Sequence, residues 1–127
     1  MTLTTLHLSK PDRIVTLREQ GEGEVLVFIH GVGMQSAAWG PQIKELSKSR
    51  RVIALDMPGH GGSTRLGPGS GLPAYIAWLR NVVAQLSLDR FSIAGHSMGA
   101  LIAAGFAIEH PERTQRVALL NLSLIHI

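Results

Sequence analysis

The chain has no cysteine among its 127 residues. That excludes disulfides, thiolate metal sites and a cysteine nucleophile. It also lacks an apolar run of the roughly 18 residues that a membrane span requires; the longest, around Ala100 to Ile108, is interrupted by Gly105. Met1 to Lys10 shows no basic start followed by an apolar stretch, so no signal peptide is read, and a cytoplasmic location with no membrane partner is the expectation. No basic stripe is present either. The twelve Lys and Arg residues behind the net charge of +3 are scattered, and the densest group, Lys48, Arg50 and Arg51, opens a strand. The pI of about 10.0 is therefore no sign of a nucleic-acid partner.

What is present is the composition of an ordinary globular domain, 45% hydrophobic and 17% charged, long enough for one domain at most. Arg13 to Glu19 alternates and reads as a strand. Gln20 to Glu24 is a turn, and Val25 to Ile29 is a continuous apolar run of the kind that is buried on both faces of a parallel sheet. A short helix is predicted from Pro41 to Lys48 and a second buried strand from Arg51 to Leu55. The stretch from Pro58 to Gly71 is rich in Gly and Pro and reads as loop. Pro73 suits the first turn of a helix, and Ile76, Leu79, Val82, Val83 and Leu86 fall at helical spacing up to about Ser87. Phe91 to Ala94 is a short strand, Ala100 to Glu109 an apolar helix stopped by Pro111, and Val117 to Leu120 a further strand. Strands alternating with helices after an opening hairpin predict an α/β fold, with a mostly parallel sheet and flanking helices. No internal repeat or linker divides it.

The last six residues, Leu122-Ser-Leu-Ile-His-Ile127, stand apart. A loop should follow the strand at Val117 to Leu120, yet the chain continues apolar. The same string results from translating the transposon-end adapter used in DNA sequencing libraries. Residues 1–121 are therefore read as a partial domain and 122–127 as an adapter-derived tail with no part in the fold.

Gly95-His96-Ser97-Met98-Gly99 matches G-x-S-x-G between a strand and a helix. The pattern alone arises by chance and could mark a glycine-softened turn; the strand before it and the helix after it favour catalysis. Such a turn holds a nucleophile in a strained backbone conformation, and its flanks must be small because strand and helix approach closely. Gly95 and Gly99 meet that need. Ser97 is then the candidate nucleophile, and Met98 N–H, at a helix N-terminus, a candidate oxyanion donor. His30-Gly31-Val32-Gly33 follows the buried strand Val25 to Ile29. There Val32 N–H is the candidate second donor, with Gly33 as the fallback, and His30 reads as a brace for the loop. Asp56-Met57-Pro58-Gly59-His60-Gly61 follows the next strand as a rigid turn in which Asp56 is expected to bond loop amides.

These three segments, in this order and spacing, resemble the α/β-hydrolase superfamily from Arg13 to Asn121, most of all its esterase, lactonase and C–C hydrolase branch. The resemblance implies the N-terminal, incomplete portion of that fold. It implies a hydrolase of a carboxylic ester, thioester, lactone or related C–C bond, with a small-molecule substrate and neither cofactor nor metal. It also implies a triad in the order Ser, acid, His. Nothing after Ser97 fits the last two. His110 ends a helix before Pro111, His126 lies in the tail, and Asp89 sits at the amino end of its strand. The chain alone is thus expected to be inactive. Two other readings compete. One is a non-catalytic hydrolase-fold binding protein. The other is a Rossmann-type dinucleotide-binding domain, since Gly31-Val32-Gly33 follows a strand and Asp56 ends the next. Against the second, Ser36 occupies the third glycine position, and Pro41 interrupts the expected helix.

Overall fold

The computed structural model describes residues 1–9 and 11–121; the six-residue tail lies outside the described residues. Strand β1 spans Thr2–Leu8, β2 Arg13–Gln20, β3 Val25–Ile29, β4 Arg51–Leu55, β5 Phe91–His96 and β6 Thr114–Leu120. Helix α1 covers Gly40–Leu46, α2 Leu72–Gln85 and α3 Met98–Glu109, with single 3₁₀ turns at Ser36–Trp39 and Pro111–Arg113. The strands form one sheet in the order β1-β2-β4-β3-β5-β6. β1 and β2 pair antiparallel, as do β2 and β4, whereas β4, β3, β5 and β6 run parallel. Among the described residues, no helix is long and apolar enough to cross a membrane.

Two features differ from expectation. The opening hairpin is β1–β2, and β1 carries no sequence signal beyond Leu6 and Leu8, which pack toward the core. β2 and β3, although joined by a glycine-rich turn, are not neighbours, because β4 lies between them. Gly21 shows why. At φ 92° it lies beneath the segment entering β4, where a side-chain carbon would stand 2.1 Å from the Arg50 carbonyl oxygen. The turn therefore passes under that segment instead of folding β3 back onto β2, and Arg51 N–H bonds the Glu24 carbonyl at 3.0 Å.

β3 is buried on both faces, as its unbroken apolar run predicts. Val27 and Ile29 face a core that includes Leu17, Ile53 and Leu55 and is covered by Trp78, Leu79, Val82 and Val83 of α2 and by Ile102 and Phe106 of α3. Burying each such side chain is worth about 2 kcal/mol. Phe28 faces the other way, stacked on Trp39 at 4.3 Å between ring centres. There it joins Ile43, Val52, Ala54 and Ala94 under α1.

Candidate active site

Ile29 at the end of β3 lies opposite Leu55 of β4 and Gly95 of β5. Three loops therefore leave the sheet at one carboxyl edge, on either side of the point where the chain changes direction across the sheet. Open α/β sheets hold their ligands at such a point.

The first loop is the strand-to-helix turn. Ser97 has φ 56° and ψ −115°, a conformation that costs a non-glycine residue of order 1–3 kcal/mol and persists only where neighbours enforce it. They do. Ser97 N–H donates to the Leu120 carbonyl at 2.9 Å, and the Ser97 carbonyl accepts Ala100 N–H at 2.9 Å. A side-chain carbon on Gly95 would stand 2.2 Å from the Gly99 carbonyl oxygen, and one on Gly99 2.1 Å from that of Ile29. Helix α3 thus starts directly against the ends of β3 and β5. Ser97 is exposed, and Met98 opens α3, whose N-terminal amides have no side-chain cap and are oriented to favour negative charge. His96 Nε2 accepts Asn121 Nδ2–H at 2.8 Å, which leaves its buried Nδ1 without a partner.

The second loop is the turn after β3, closed by Met34 N–H donating to the Gly31 carbonyl at 3.1 Å, with Gly33 at φ 83°. It packs on the first. A carbon added to Gly31 would meet Ser97 Cβ at 3.2 Å and His96 Nδ1 at 3.1 Å. His30 is fully buried. Its Nδ1 donates to the Gly31 carbonyl at 2.7 Å, and its Nε2 accepts Met57 N–H at 3.0 Å. Burial pushes its pKa below 6.5, and the nearby His60 acts in the same direction, against the opposite pull of the Gly31 carbonyl and Asp56. His30 is thus held neutral, with one nitrogen donating and the other accepting.

The third loop follows β4. Asp56, at 3% exposure, accepts Ser36 N–H on one oxygen at 2.6 Å and the Thr16 hydroxyl on the other. Thr16 in turn accepts Gly62 N–H at 3.1 Å. His60 reaches back to the second loop, its Nε2 accepting Gly33 N–H at 3.0 Å while its Nδ1 faces the Pro58 carbonyl at 3.1 Å. The His30 and His60 rings meet edge to face, 5.1 Å apart. Thr16, His60 and Asn121 are absent from the sequence-based site. Thr16 lies 40 residues from Asp56, so no local spacing could reveal that pair. His60 had a signal in its Pro-Gly-His-Gly setting.

Two groups lie elsewhere. His110 follows α3 and packs on Phe106, with Nδ1 3.5 Å from Glu112. Asp89 precedes β5, and its carbonyl accepts Arg113 Nε.

A family profile described as alpha/beta hydrolase fold matches residues 24–126. The chain belongs to that family. The α/β-hydrolase frame removes the dinucleotide reading. After the glycines of the second loop the chain runs to a 3₁₀ turn at Ser36–Trp39, and α1 begins only at Gly40. No long helix starts at the glycines to receive a pyrophosphate.

Among curated relatives, the chain is 48% identical over 121 residues to an (E)-2-((N-methylformamido)methylene)succinate hydrolase of Acinetobacter baylyi, covering 95% of this chain and 46% of that protein. It is 37% identical over 109 residues to a 2-hydroxy-6-oxo-2,4-heptadienoate hydrolase of Pseudomonas putida, covering 83% and 40%. The chain thus spans less than half the length of these relatives. A crystal structure described as a membrane phospholipase A, a bacterial virulence factor, superposes with a TM-score of 0.89 at 28% identity, over 96% of this chain and 40% of that one.

Proposed function

We propose that the protein is a serine-dependent hydrolase of a carboxylic ester, thioester or lactone, or of a C–C bond beside a carbonyl. Ser97 Oγ adds to the carbonyl carbon and passes its proton to a base. The carbonyl electrons move onto oxygen, which Val32 and Met98 N–H stabilise. The tetrahedral species then expels the leaving group, which takes up the proton, and water releases the acyl group from Ser97. The observation that carries this reading is Ser97 itself, an exposed, non-glycine residue held at positive φ where a sheet edge meets a helix N-terminus. Gly33 N–H is committed to His60, which favours Val32 over Gly33 as the second donor.

None of His30, His60, His96 and His110 is poised to serve as the base. His30 and His60 are occupied on both ring nitrogens by the hydrogen bonds that position the loops, His96 has Nε2 engaged by Asn121 and its unpartnered Nδ1 buried, and His110 lies away from this edge. In the family order the acid and the histidine follow the nucleophile. Residues 1–127 alone are expected to be inactive, while a full-length protein supplies both groups. The substrate class we favour is a small organic acid carrying a hydrolysable carbonyl. Two relatives are named for such anions, a succinate derivative and a heptadienoate. We assign it neither a nucleic-acid nor a membrane partner and place it in the cytoplasm, with no cofactor.

The test uses the full-length protein with both named compounds and short acyl esters. Turnover of at least one, together with labelling of Ser97 by a fluorophosphonate in intact-mass analysis, is expected. No labelling and no turnover of any of them would favour a non-catalytic binding protein.

A further inference from the structure

We infer that His60 is a positioning residue that selects which amide of the 31–33 turn faces the reacting carbonyl; the inference rests on the Ser97 reading above. A peptide unit is planar and trans, so its N–H points away from its own C=O. The Gly31 carbonyl is held twice, by Met34 N–H at 3.1 Å and by His30 Nδ1 at 2.7 Å. The Val32 N–H of the same peptide plane is thereby aimed away from His30. The next plane is less constrained. Gly33 sits at φ 83°, and a carbon added to it would meet no atom within 4 Å, so no steric wall fixes it. Its one anchor among the described residues is the 3.0 Å bond from its N–H to His60 Nε2.

That bond requires His60 to be neutral, with its proton on Nδ1 facing the Pro58 carbonyl at 3.1 Å. The ring is held for this task, packed edge to face on His30, while its backbone N–H bonds the Met57 carbonyl at 2.9 Å. Without the Nε2 acceptor, the Val32–Gly33 peptide is released to rotate, and Gly33 N–H competes with Val32 N–H for the developing oxyanion. His60 would then raise the rate without touching substrate. Its effect belongs in kcat, because the oxyanion exists only on the way to and from the tetrahedral species.

The two amide replacements separate this role from a purely structural one. In His60→Asn the amide group stands near the Nδ1 position and can keep the Pro58 contact. In His60→Gln the side-chain carbonyl reaches the Nε2 position and can still accept Gly33 N–H. In the full-length enzyme, His60→Asn is expected to lower kcat about 10- to 100-fold with KM within about twofold, and His60→Gln to recover most of that loss. Equal kcat in His60→Asn and wild type, with Ser97→Ala inactive, would overturn the role of His60 and leave the Ser97 reading standing; an active Ser97→Ala would remove that reading instead. Nitrogen-15 NMR of the wild type gives a second readout that needs no variant to fold. His60 is expected as the Nδ1–H tautomer with a slowly exchanging Gly33 amide. An Nε2–H tautomer would overturn the proposal.

Discussion

The turn around Ser97 and the turn around Val32 touch each other, yet they are held by opposite means. The first is held by missing side chains. Gly95 and Gly99 let backbone meet backbone, where a single added carbon would stand within about 2.2 Å of a carbonyl oxygen. The second is held by side chains that are present, with His30 and His60 stitching it to the loop after β4. Steric contact tolerates almost no change, because interiors cannot expand locally without loss of packing. Hydrogen-bonded stitching is graded, and each bond removed costs a modest amount. Rigidity at one turn and tunability at its neighbour follow from that difference.

The largest effect tests the chemistry that the comparison serves. In the full-length protein, Ser97→Ala is expected to lower kcat by about four orders of magnitude or more, with the unfolding midpoint kept or raised, since Ala is no bulkier than Ser in the strained turn. Steady-state kinetics and a denaturant titration measure both; near-normal turnover would refute the nucleophile.

Gly99→Ala breaks the steric side of the comparison. A carbon 2.1 Å from the Ile29 carbonyl oxygen and 2.6 Å from that of His30 forces α3 off the sheet. A loss of about 3 kcal/mol or more is expected from urea unfolding. An unchanged midpoint would show that the helix can shift at little cost and that the turn is not steric at all.

His30→Ala breaks the stitched side. It leaves Met57 N–H and the Gly31 carbonyl each short of a bond in a buried setting. About 2 kcal/mol of stability should go with it, and a loss below about 0.5 kcal/mol would show that the bonds hold nothing. The pH dependence sharpens the same point. His30 is lowered from 6.5 in the folded state, so the unfolded chain takes up this proton first. Its contribution to stability is fully present above pH 6.5, falls as pH drops below that value, and is lost as pH passes through the folded-state pKa. The thermal midpoint of the wild type, followed from pH 7.5 down to about 5, should therefore fall more steeply than that of His30→Asn; parallel curves would argue against a buried neutral His30.

The smallest effect is expected at Gly33. Alanine there meets no neighbour within 4 Å but must adopt φ 83°, for about 1 kcal/mol. Calorimetry should register that shift. A loss as large as that of Gly99→Ala would mean that the two turns are held alike after all.

Legibility followed the same division. Val25–Ile29 was readable because burial on both faces leaves no polar residue in the run, and the serine turn because glycines forced by steric contact are written locally as Gly95 and Gly99. β6 starts at Thr114, three residues before the predicted Val117; the earlier start is not legible because Gln115 and Arg116 are exposed polar residues with no apolar periodicity to mark them. β1 is faint in the sequence for a related reason. Among the described residues it pairs only with β2, and Leu3 is 60% exposed, so its alternation is weak. The order of β3 and β4 was hidden because the glycine turn at Gly21 and Gly23 looks like a hairpin, and only the distant Arg50 carbonyl decides otherwise. Thr16 acts on Asp56, 40 residues along the chain, and a hydrogen bond between remote residues leaves no spacing to read; for His60 the Pro-Gly-His-Gly setting marks the residue but not its partner Gly33, 27 residues away.

The positive φ of Ser97 also bears on how its hydroxyl would find a substrate in the proposed reaction. The backbone of that residue is fixed on both sides, by the bond to Leu120 and by those from Ala100 and Leu101, so the direction of Cα to Cβ is fixed as well. Oγ then has a single rotation left, about χ1, with three staggered positions. Its search for the carbonyl is one-dimensional, and settling into one position from three costs at most about 0.7 kcal/mol of entropy. A serine on a mobile loop would have to lose backbone freedom of about 1–2 kcal/mol per residue at the moment of reaction. Here that ordering is completed during folding, so that on the proposed reading Ser97 would meet its substrate already in place.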